Sequence, residues 1–419
     1  MQISTNEFLL GSLNDLLAQQ QNVNTLNREI ATGETMLDAS SDPGGAGQVI
    51  GLANQVGTLA YDTANGQAAT QTLQEGVSAL QQVTNLLDQL NQTASAAVNG
   101  TTTTADRQSD VAAVQSLLTQ LVQLANTQGA NGGYLFAGSK SNAPAFAMLP
   151  SGQVVFNGDA GTNQVEIAPS LSVASTVSGQ DVFMNVPAGA DGIGVTAGAN
   201  NTGSSYALAQ GVTNVSQVTA ATLAGTEYDI SFSRSGQSLT YQVTSGTGVP
   251  GSAGYNSTAG VVASGSFTSG SSLSFAGIQV QVSGTPASGD SFAVQPGAST
   301  SIFQTAQNLI AALGMPQDTG AQAGQAQQAL QNVLAQIQSS QNNVLSAQAT
   351  LGSGLAEIQS VATQTSTQSA DAQTAISNLQ SANMPAVLAN YSESLTALQA
   401  AEESFSKVQN LSLFQYLLP

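Results

Sequence analysis

The sequence contains no cysteine, no histidine and no tryptophan. Without cysteine it has no disulfide, no reactive thiolate and no zinc–thiolate site, and without histidine it lacks the commonest metal ligand and general base. A serine nucleophile would then need a lysine as its base, and neither Lys140 nor Lys407 lies in a motif that pairs it with a serine. The residues therefore support no catalytic site, no cofactor and no metal site.

Charge is also scarce, and positive charge above all. Lysine and arginine number 5 against 24 acidic residues, giving a net charge of −19, and only 7% of the 419 residues are charged, compared with about 25% in an ordinary globular protein. The five cations are scattered singly along the chain. Since there is no basic patch, neither nucleic acid nor an anionic membrane is an expected partner.

The first residues lack the pattern of a secretory signal or a membrane anchor. In "MQISTNEFLLGSLNDLL" no lysine or arginine precedes the apolar residues, and Glu7 and Asp15 interrupt them. We therefore expect neither a cleaved signal peptide nor a transmembrane helix. An exported chain would need another route.

Helical periodicity is present at both ends of the chain. In the N-terminal region, Asp42 can cap a helix that begins at Pro43, within "ASSDPGG". Steps of four and three residues predict a packing stripe on this helix: Leu73, Val77, Leu80, Thr84, Leu87, Asn91, Ala94 and Val98.

The C-terminal third has the longest repeat. Heptad spacing continues from Leu330 to Leu379, and the polar residues Gln341 and Gln348 on this seam could fix its register. Pro385 then opens a last helix. Its apolar stripe contains Leu388, Tyr391, Leu395, Leu398 and Phe405.

The middle of the chain, between about residues 143 and 299, is rich in Gly, Ser, Thr and Val. Segments such as "TEYDISFSR" and "SLSFAGIQVQVSG" alternate apolar and polar residues, as short antiparallel strands of a sandwich or barrel do. The predicted fold is therefore α+β and multidomain. Long N- and C-terminal helices (1–142 and 300–419) pack as a coiled-coil-like bundle, and a β-rich outer domain (143–299) of one or two subdomains is inserted between them.

Two acidic patterns are too weak to predict a metal site. Glu227 and Asp229 share one face of a predicted strand, but no oxygen-rich loop surrounds them, so a solvated strand face is the favoured interpretation. Asp38 and Asp42 flank two serines, and helix capping by Asp42 accounts for that pattern.

Two further patterns also have structural explanations. "GADGIGVTAG" contains Gly192 and Gly194, part of a phosphate-loop pattern, but without a lysine or a following helix we interpret it as a turn between strands. Glu402 and Glu403 are more simply an exposed helix face than an acid–base pair.

Several stretches, in this order, resemble the flagellin superfamily of bacterial flagella. They are "MQIST", "REIATGETMLDASSDPGGAGQVIGL", and the segment from "GTTTTADRQSD" to "GGYLFAGSKS". "DVFMNVPAG" and the ending "ALQAAEESFSKVQNLSLFQYL" are more similar to the hook-associated members than to filament flagellins. The sequence departs from the family at "ATG", where a serine–glycine pair is usual, and in its scarcity of lysine and arginine.

The resemblance implies a non-enzymatic structural subunit that lies outside the cell in the flagellum. Such a subunit would leave through the flagellar type III export channel, aided by a cytosolic chaperone. It would form a ring-like homo-oligomer between the first hook-associated junction protein and the flagellin filament. The helical ends would build the core of the tube, and the β domain would face outward.

The extreme ends, roughly residues 1–40 and 385–419, have too little core of their own, so we expect them to become ordered on assembly. The alternative is that the heptads only close a bundle within a monomer. The closing "NLSLFQYLLP" extends the apolar face of the last helix. The predicted assembly residues are Ile3, Phe8, Leu9, Leu13, Leu16, Leu388, Tyr391, Leu395, Leu398, Phe405, Leu411, Leu413, Phe414 and Leu417.

Two other functions are consistent with parts of this pattern. One is a filament flagellin, which differs in location and copy number. The other is a secreted adhesin that binds glycans on an aromatic platform formed by Tyr228, Phe232, Tyr241 and Phe275. The alternation of their segments favours a core position for these aromatic residues.

Overall fold

The protein was analysed as a computed structural model, which describes residues 2–35, 42–99, 103–247 and 260–410. The α-helices of this described part are α1 (Gln2–Thr32), α2 (Pro43–Val98), α3 (Thr104–Ala125), α4 (Val215–Leu223), α5 (Ile302–Leu313), α6 (Gly320–Gln380) and α7 (Met384–Asn410). A short π-helix (Gln180–Met184) and a 3-10 turn (Ala190–Gly192) lie between strands.

All the strands of the described residues lie between the helical ends. They are β1 (Phe146–Met148), β2 (Val154–Phe156), β3 (Gln164–Ala168), β4 (Leu171–Ala174), β5 (Val186–Pro187), β6 (Ile193–Ala197), β7 (Tyr206–Val212), β8 (Thr226–Ser235), β9 (Ser238–Thr247), β10 (Val261–Ser266), β11 (Ser272–Phe275), β12 (Ile278–Ser283), β13 (Ser291–Pro296) and β14 (Ser299–Thr300). The predicted α+β architecture, with long terminal helices and a β-rich insert, is confirmed.

The chain forms two compact units. One combines residues 1–64 with 361–419, and the other contains residues 65–360. The predicted boundaries at residues 142 and 299 follow secondary structure rather than compactness, and they stay a prediction.

In the first unit, α1 and α7 pack against each other in antiparallel orientation. Near the end of α1 the backbone N–H of Ala382 donates to the carbonyl of Gly33 at 2.8 Å. Eleven residues earlier, the Asn22 side chain donates to the hydroxyl of Ser394 at 3.4 Å. From the first contact to the second, the position moves toward the N-terminus of α1 but toward the C-terminus of α7. The two helices are therefore antiparallel.

In the second unit, α2 and α6 also run antiparallel and pack closely. A Cβ added to Gly76 would lie 3.1 Å from the Leu351 side chain, so the small residue lets the large one approach. The Gln341 side chain donates to the Asp88 carboxylate at 2.7 Å and that of Gln348 to the Thr84 hydroxyl at 3.4 Å. The predicted role of these two glutamines in fixing the register is supported by both contacts.

The predicted stripe on α2 was half right. Leu73, Leu80, Leu87 and Ala94 are fully buried, whereas the intervening members, such as Val77, are only half-buried. The second buried line lies one residue earlier and contains Gly76, Val83, Leu90 and Ala97. The sequence pattern favoured Val77 over Gly76, because glycine has no side chain to bury in a core. In the structure, Gly76 is the residue against which the Leu351 side chain packs.

Helix starts follow the capping rules. Asp42 accepts from the backbone N–H of Gly45 at 3.0 Å, as predicted, with Pro43 at the first helical position. Thr103 and Asp106 form a reciprocal capping box at the start of α3. Asp38 lies outside the described residues.

The β-rich region contains a sandwich and three small two-stranded sheets. The five-stranded sheet has the order β10-β9-β8-β13-β6 and the three-stranded sheet the order β11-β12-β7. Residues from both sheets and from α4 share one hydrophobic core, which includes Ile230, Phe292, Val280 and Val218. The predicted sandwich is therefore present.

The structure corrects two predictions in this region and contains one helix that was not predicted. "GADGIGVTAG" is a turn only as far as Gly192, because Gly194 lies inside β6. Helix α4, capped by Asn214, was not predicted within the β pattern. Glu227 and Asp229 are half-buried rather than on a solvated face.

Candidate assembly surface

Helix α1 has one stripe that faces α7. It is formed by residues spaced four and three apart that are buried or half-buried, and its best-covered members are Val23 and Leu26. Leu16, one of the predicted assembly residues, is half-buried on this stripe. The positions repeat with the heptad spacing of a coiled-coil seam, so this side of α1 is occupied within the protomer.

A second apolar stripe on α1 is exposed. Leu10, Leu13 and Leu17 expose 54%, 38% and 46% of their surface, although their spacing of three and four residues places them on one face. At 100° per residue this leucine stripe lies about 130° around the helix from the α7-facing stripe. In the described part of the chain, these three leucines therefore remain partly open to solvent and lie outside the α1–α7 seam.

Helix α7 faces α1 with a seam of the same kind. Asn383 precedes it, and the helix carries Pro385 in its first turn. Val387 and Ser394 are buried, and Tyr391, Leu398 and Phe405, at the same heptad spacing, are half-buried. Of the other predicted residues, Leu395 is half-buried beside the seam, whereas Leu388 is 49% exposed.

The remaining predicted assembly residues cannot be placed in the same way. Ile3, Phe8 and Leu9 lie within α1, but the description does not include their side chains. Leu411, Leu413, Phe414 and Leu417 lie outside the described residues. They stay predictions.

Several residues of this surface were not predicted from the sequence. Val387 and Ser394 could have been found by continuing the heptad through Tyr391 and Leu398. Leu10 and Leu17 share a three–four spacing with the predicted Leu13. Exposure itself had no sequence signal, because a leucine facing another subunit looks the same as one facing the core.

Glu402 and Glu403 are both exposed on α7, as predicted. Among the described residues no group of three or more Asp or Glu side chains could hold a metal ion. None of the described helices is long and apolar enough to span a membrane.

Perturbed carboxyl groups lie elsewhere in the chain. Hydrogen bonds from the Thr103 side chain and backbone lower the pKa of Asp106. Backbone hydrogen bonds from Ser139 and Gly161 lower the pKa of Asp159. Both shifts have a structural explanation: Asp106 belongs to a helix cap, and Asp159 accepts backbone hydrogen bonds that hold a loop in place.

The aromatic platform of the adhesin hypothesis is not a surface. Tyr228, Phe232 and Phe275 are buried in the core of the sandwich, and Tyr241 packs partly buried against it. The Tyr228 and Phe275 rings are in contact, with centroids 5.3 Å apart. These side chains therefore stabilise the core, as their alternation predicted.

Comparisons with known proteins agree with the helical architecture. Residues 3–141 match the bacterial flagellin N-terminal helical region. Comparison with the curated proteins gave no match.

Solved structures give matches over most of the chain. Flagellar hook associated protein-3 from Legionella pneumophila is 29% identical, with a TM-score of 0.69 over 78% of this chain and 98% of that chain. The flagellar junction protein FlgL from Legionella pneumophila is 27% identical, with a TM-score of 0.68 over 80% and 100%. FlgL from Xanthomonas campestris is 26% identical, with a TM-score of 0.64 over 77% and 97%.

These findings define the class first: the chain carries the N-terminal helical region of the bacterial flagellins. Over most of its length, the chain is also similar in sequence and fold to FlgL, the hook-associated protein 3, of Legionella pneumophila and Xanthomonas campestris. The resemblance read from the sequence is confirmed.

Proposed function

We propose that this protein is a structural subunit of the bacterial flagellum that joins the hook to the filament and seats the flagellin filament. Homology to FlgL supports a flagellar structural role. The observation that carries the assembly mechanism is the leucine stripe Leu10, Leu13 and Leu17, exposed on a helix whose other apolar side is already covered by α7. Exposed apolar stripes of this kind mark interaction sites.

The stripe acts by burying apolar surface between subunits. Each leucine removed from water contributes up to about 2 kcal/mol, and the contribution is repeated at every subunit of a ring. Because the three residues carry no charge, the contact depends little on ion pairs. Leu388 of α7, also exposed, supplies a further apolar residue of the terminal helix pair.

The partners follow from this position. The protein forms a ring-like homo-oligomer, contacts the first hook-associated junction protein on the hook side, and contacts flagellin on the filament side. A cytosolic chaperone covers the terminal helices before export, and the assembled ring lies outside the cell. Catalysis has no part in this function.

The terminal segments become fully ordered on assembly. The α1–α7 pair has few fully buried apolar residues, with Val23, Leu26 and Val387 the best covered among those described. Limited proteolysis of the purified monomer tests this step. Rapid trimming of both ends back toward residues 40 and 385 supports it, and ends that resist trimming contradict it.

A deletion strain distinguishes the junction role from that of a filament flagellin. Cells that lack a junction protein keep intact hooks and release flagellin into the medium, whereas cells that lack the filament flagellin release none. We expect bare hooks and released flagellin, restored to full filaments by a plasmid copy of the gene. Bare hooks without any flagellin in the medium would overturn the junction role.

A further inference from the structure

The sandwich has an open seam where the edges of its two sheets meet. Strand β6 is the last strand of the five-stranded sheet, and β7 is the last strand of the three-stranded sheet. The two strands are neighbours but belong to separate sheets. An edge strand presents backbone N–H and C=O groups without a ladder partner, and it can pair with a strand of another chain.

Helix α6 covers this seam with two amide side chains. Gln328 pairs with both backbone groups of Ala207 in β7: its Oε1 accepts from the N–H, and its Nε2 donates to the carbonyl at 2.8 Å. This two-point contact copies the pairing of a neighbouring strand. Asn332, one turn later, donates to the carbonyl of Val195 in β6 at 2.7 Å.

The two amides are also joined to each other. The Nε2 of Gln328 donates to the Oδ1 of Asn332 at 2.8 Å. A primary amide has one carbonyl acceptor and two N–H donors, so Gln328 uses all three groups. Gln328 is only 2% exposed, and Ala207 is fully buried. The contact is therefore a buried, satisfied network rather than a surface hydrogen bond.

Further toward its C-terminus, the same face of α6 donates more side-chain hydrogen bonds to backbone carbonyls. Ser339 donates to the carbonyl of Gly189 at 2.8 Å. Asn343 donates to the carbonyls of Asp181 and Val182 at 2.7 and 2.9 Å. These positions follow Gln328 and Asn332 at helical intervals, so a polar face of α6 recognises the backbone of the β-rich region independently of its side chains.

We propose that Gln328 and Asn332 form an amide clamp that closes the β6 and β7 edges against pairing with a strand of a second copy of this chain. The clamp occupies the N–H and carbonyl of Ala207 in β7 and the carbonyl of Val195 in β6, so an incoming strand cannot bond these groups. A chain that carries out its function by self-association has particular need of it, because every neighbour brings the same strand edges. Strand pairing through the β6 and β7 edges is thereby prevented, so this side of the sandwich does not compete with the helices as an assembly surface.

The test compares Gln328→Met with Gln338→Met in the full chain. Methionine keeps the length and helix propensity of glutamine but cannot bond the Ala207 backbone. Gln338 is exposed on the same helix, so its variant is the matched control. Hydrogen exchange is measured for the peptide that covers β7 and for a peptide of α3, and sedimentation and the infrared amide band report association between strands.

In Gln328→Met we expect the β7 peptide to exchange about tenfold faster, as the loss of a buried hydrogen bond implies. We also expect concentration-dependent association with the infrared signature of intermolecular strands. The α3 peptide and the Gln338→Met chain should be unchanged. Unchanged β7 exchange would overturn the proposal, as would faster exchange in a chain that stays monomeric at every concentration.

If Gln328→Met does not fold, hydrogen exchange will be accelerated equally in the β7 and α3 peptides. A second variant then tests the proposal. Gln328→Glu retains an acceptor for the Ala207 N–H but loses the donor to its carbonyl. Exchange in β7 intermediate between the wild type and a fully exposed strand, with normal α3 protection, supports the clamp. Wild-type exchange and a monomeric state contradict it.

Discussion

The backbone N–H of Ala382 donates to the carbonyl of Gly33 at 2.8 Å, and this bond joins the connection after α1 to the connection before α7. Beside it, Thr35 donates its N–H to the carbonyl of Gln380 at 2.8 Å, so residues 33–35 and 380–382 form a short antiparallel bridge. The bridge fixes where the α1–α7 pair begins. It therefore determines the register in which Leu16 and Tyr391 take part in the seam.

Gly33 makes this bridge possible through its backbone conformation. Its φ is +74°, and its N–H donates to the carbonyl of Glu29 at 2.8 Å, which ends α1 in the left-handed manner typical of glycine. We predict that Gly33→Ala lowers the free energy of unfolding of the terminal pair by about 1 kcal/mol, because alanine is strained at this φ. Faster hydrogen exchange at Ala382 measures the effect.

Gly57→Ala is the matched control for that substitution. Gly57 lies inside α2 with helical backbone and open space around its Cβ position. Alanine there should stabilise the helix by up to about 1 kcal/mol. Equal effects of the two substitutions would contradict the account of the bridge.

Removal of the leucine stripe should impair assembly but not folding. The double substitution Leu13→Ser and Leu17→Ser should leave monomer stability within about 1 kcal/mol, since each exposed position contributes about 0.5 kcal/mol or less to folding. Assembly should decrease at least tenfold, which corresponds to the loss of about 1.4 kcal/mol per contact. Swimming assays and counts of filament-bearing hooks provide the measurement.

Leu345→Ser controls for the loss of an exposed leucine in itself. Leu345 lies on α6 and is 62% exposed, more than either leucine of the double variant. It should support normal filaments. A defect of the same size in both strains would show that the stripe on α1 has no special role.

Asp229 should destabilise the native chain at neutral pH. Burial raises its pKa, and its Oδ1 has no hydrogen-bond partner within the described part of the chain. Because the folded-state pKa is above the unfolded value, the ionised group opposes folding at neutral pH, and this effect is relieved as the pH falls through the folded-state pKa. Asp229→Asn should therefore raise stability at pH 7 and have little effect in acid.

Denaturant titrations at several pH values measure this difference, with Asp371→Asn as the control. Asp371 is exposed on α6, and its replacement should change stability little at any of these values. A loss of stability for Asp229→Asn at neutral pH would mean that the carboxylate has a favourable partner.

The capping box at α3 has the opposite effect on the pH dependence of stability, because its carboxylate stabilises the folded chain at neutral pH. Asp106 has a lowered pKa because Thr103 donates to it from its side chain at 2.7 Å and from its backbone at 2.9 Å. Its contribution to stability is present above the unfolded pKa and is lost as the pH falls through the folded-state value. Thr103→Ala should raise the pKa of Asp106 toward its ordinary value and weaken the cap by about 1 kcal/mol.

An NMR titration of the Asp106 carboxyl detects this change. Thr119→Ala, on the exposed face of the same helix, should leave that pKa where it is in the wild type. An unchanged Asp106 titration in Thr103→Ala would show that the hydrogen bonds of the box are not its cause.

Local rules predicted the helical part of the fold well. Pro43 and Pro385 marked helix starts, and the heptad positions Leu330, Ile337 and Val344 are all buried, as the spacing required. These features depend on residues within a few turns of one another. The closing of the sandwich core around Ile230 and Phe292 likewise followed from strand alternation.

What the sequence did not show depends on contacts between distant segments. Gln328 reads as an ordinary polar residue of a helix, and only the fold reveals that it pairs with Ala207, 121 positions earlier. Gly76 has no apolar side chain to mark it as a core position, and its role depends on its contact with Leu351 on another helix. The exposure of Leu10 depends on which face of α1 packs against α7. Both apolar stripes of α1 have the three–four spacing, so the spacing alone could not show which one is covered.

The proposed role places the protein at one point of the flagellum, and immuno-electron microscopy of intact cells tests this location. An antibody against the β-rich region, with the deletion strain as the blank, reports where the protein lies. A role at the junction predicts gold label confined to the boundary between hook and filament. Label distributed along the filament would contradict it.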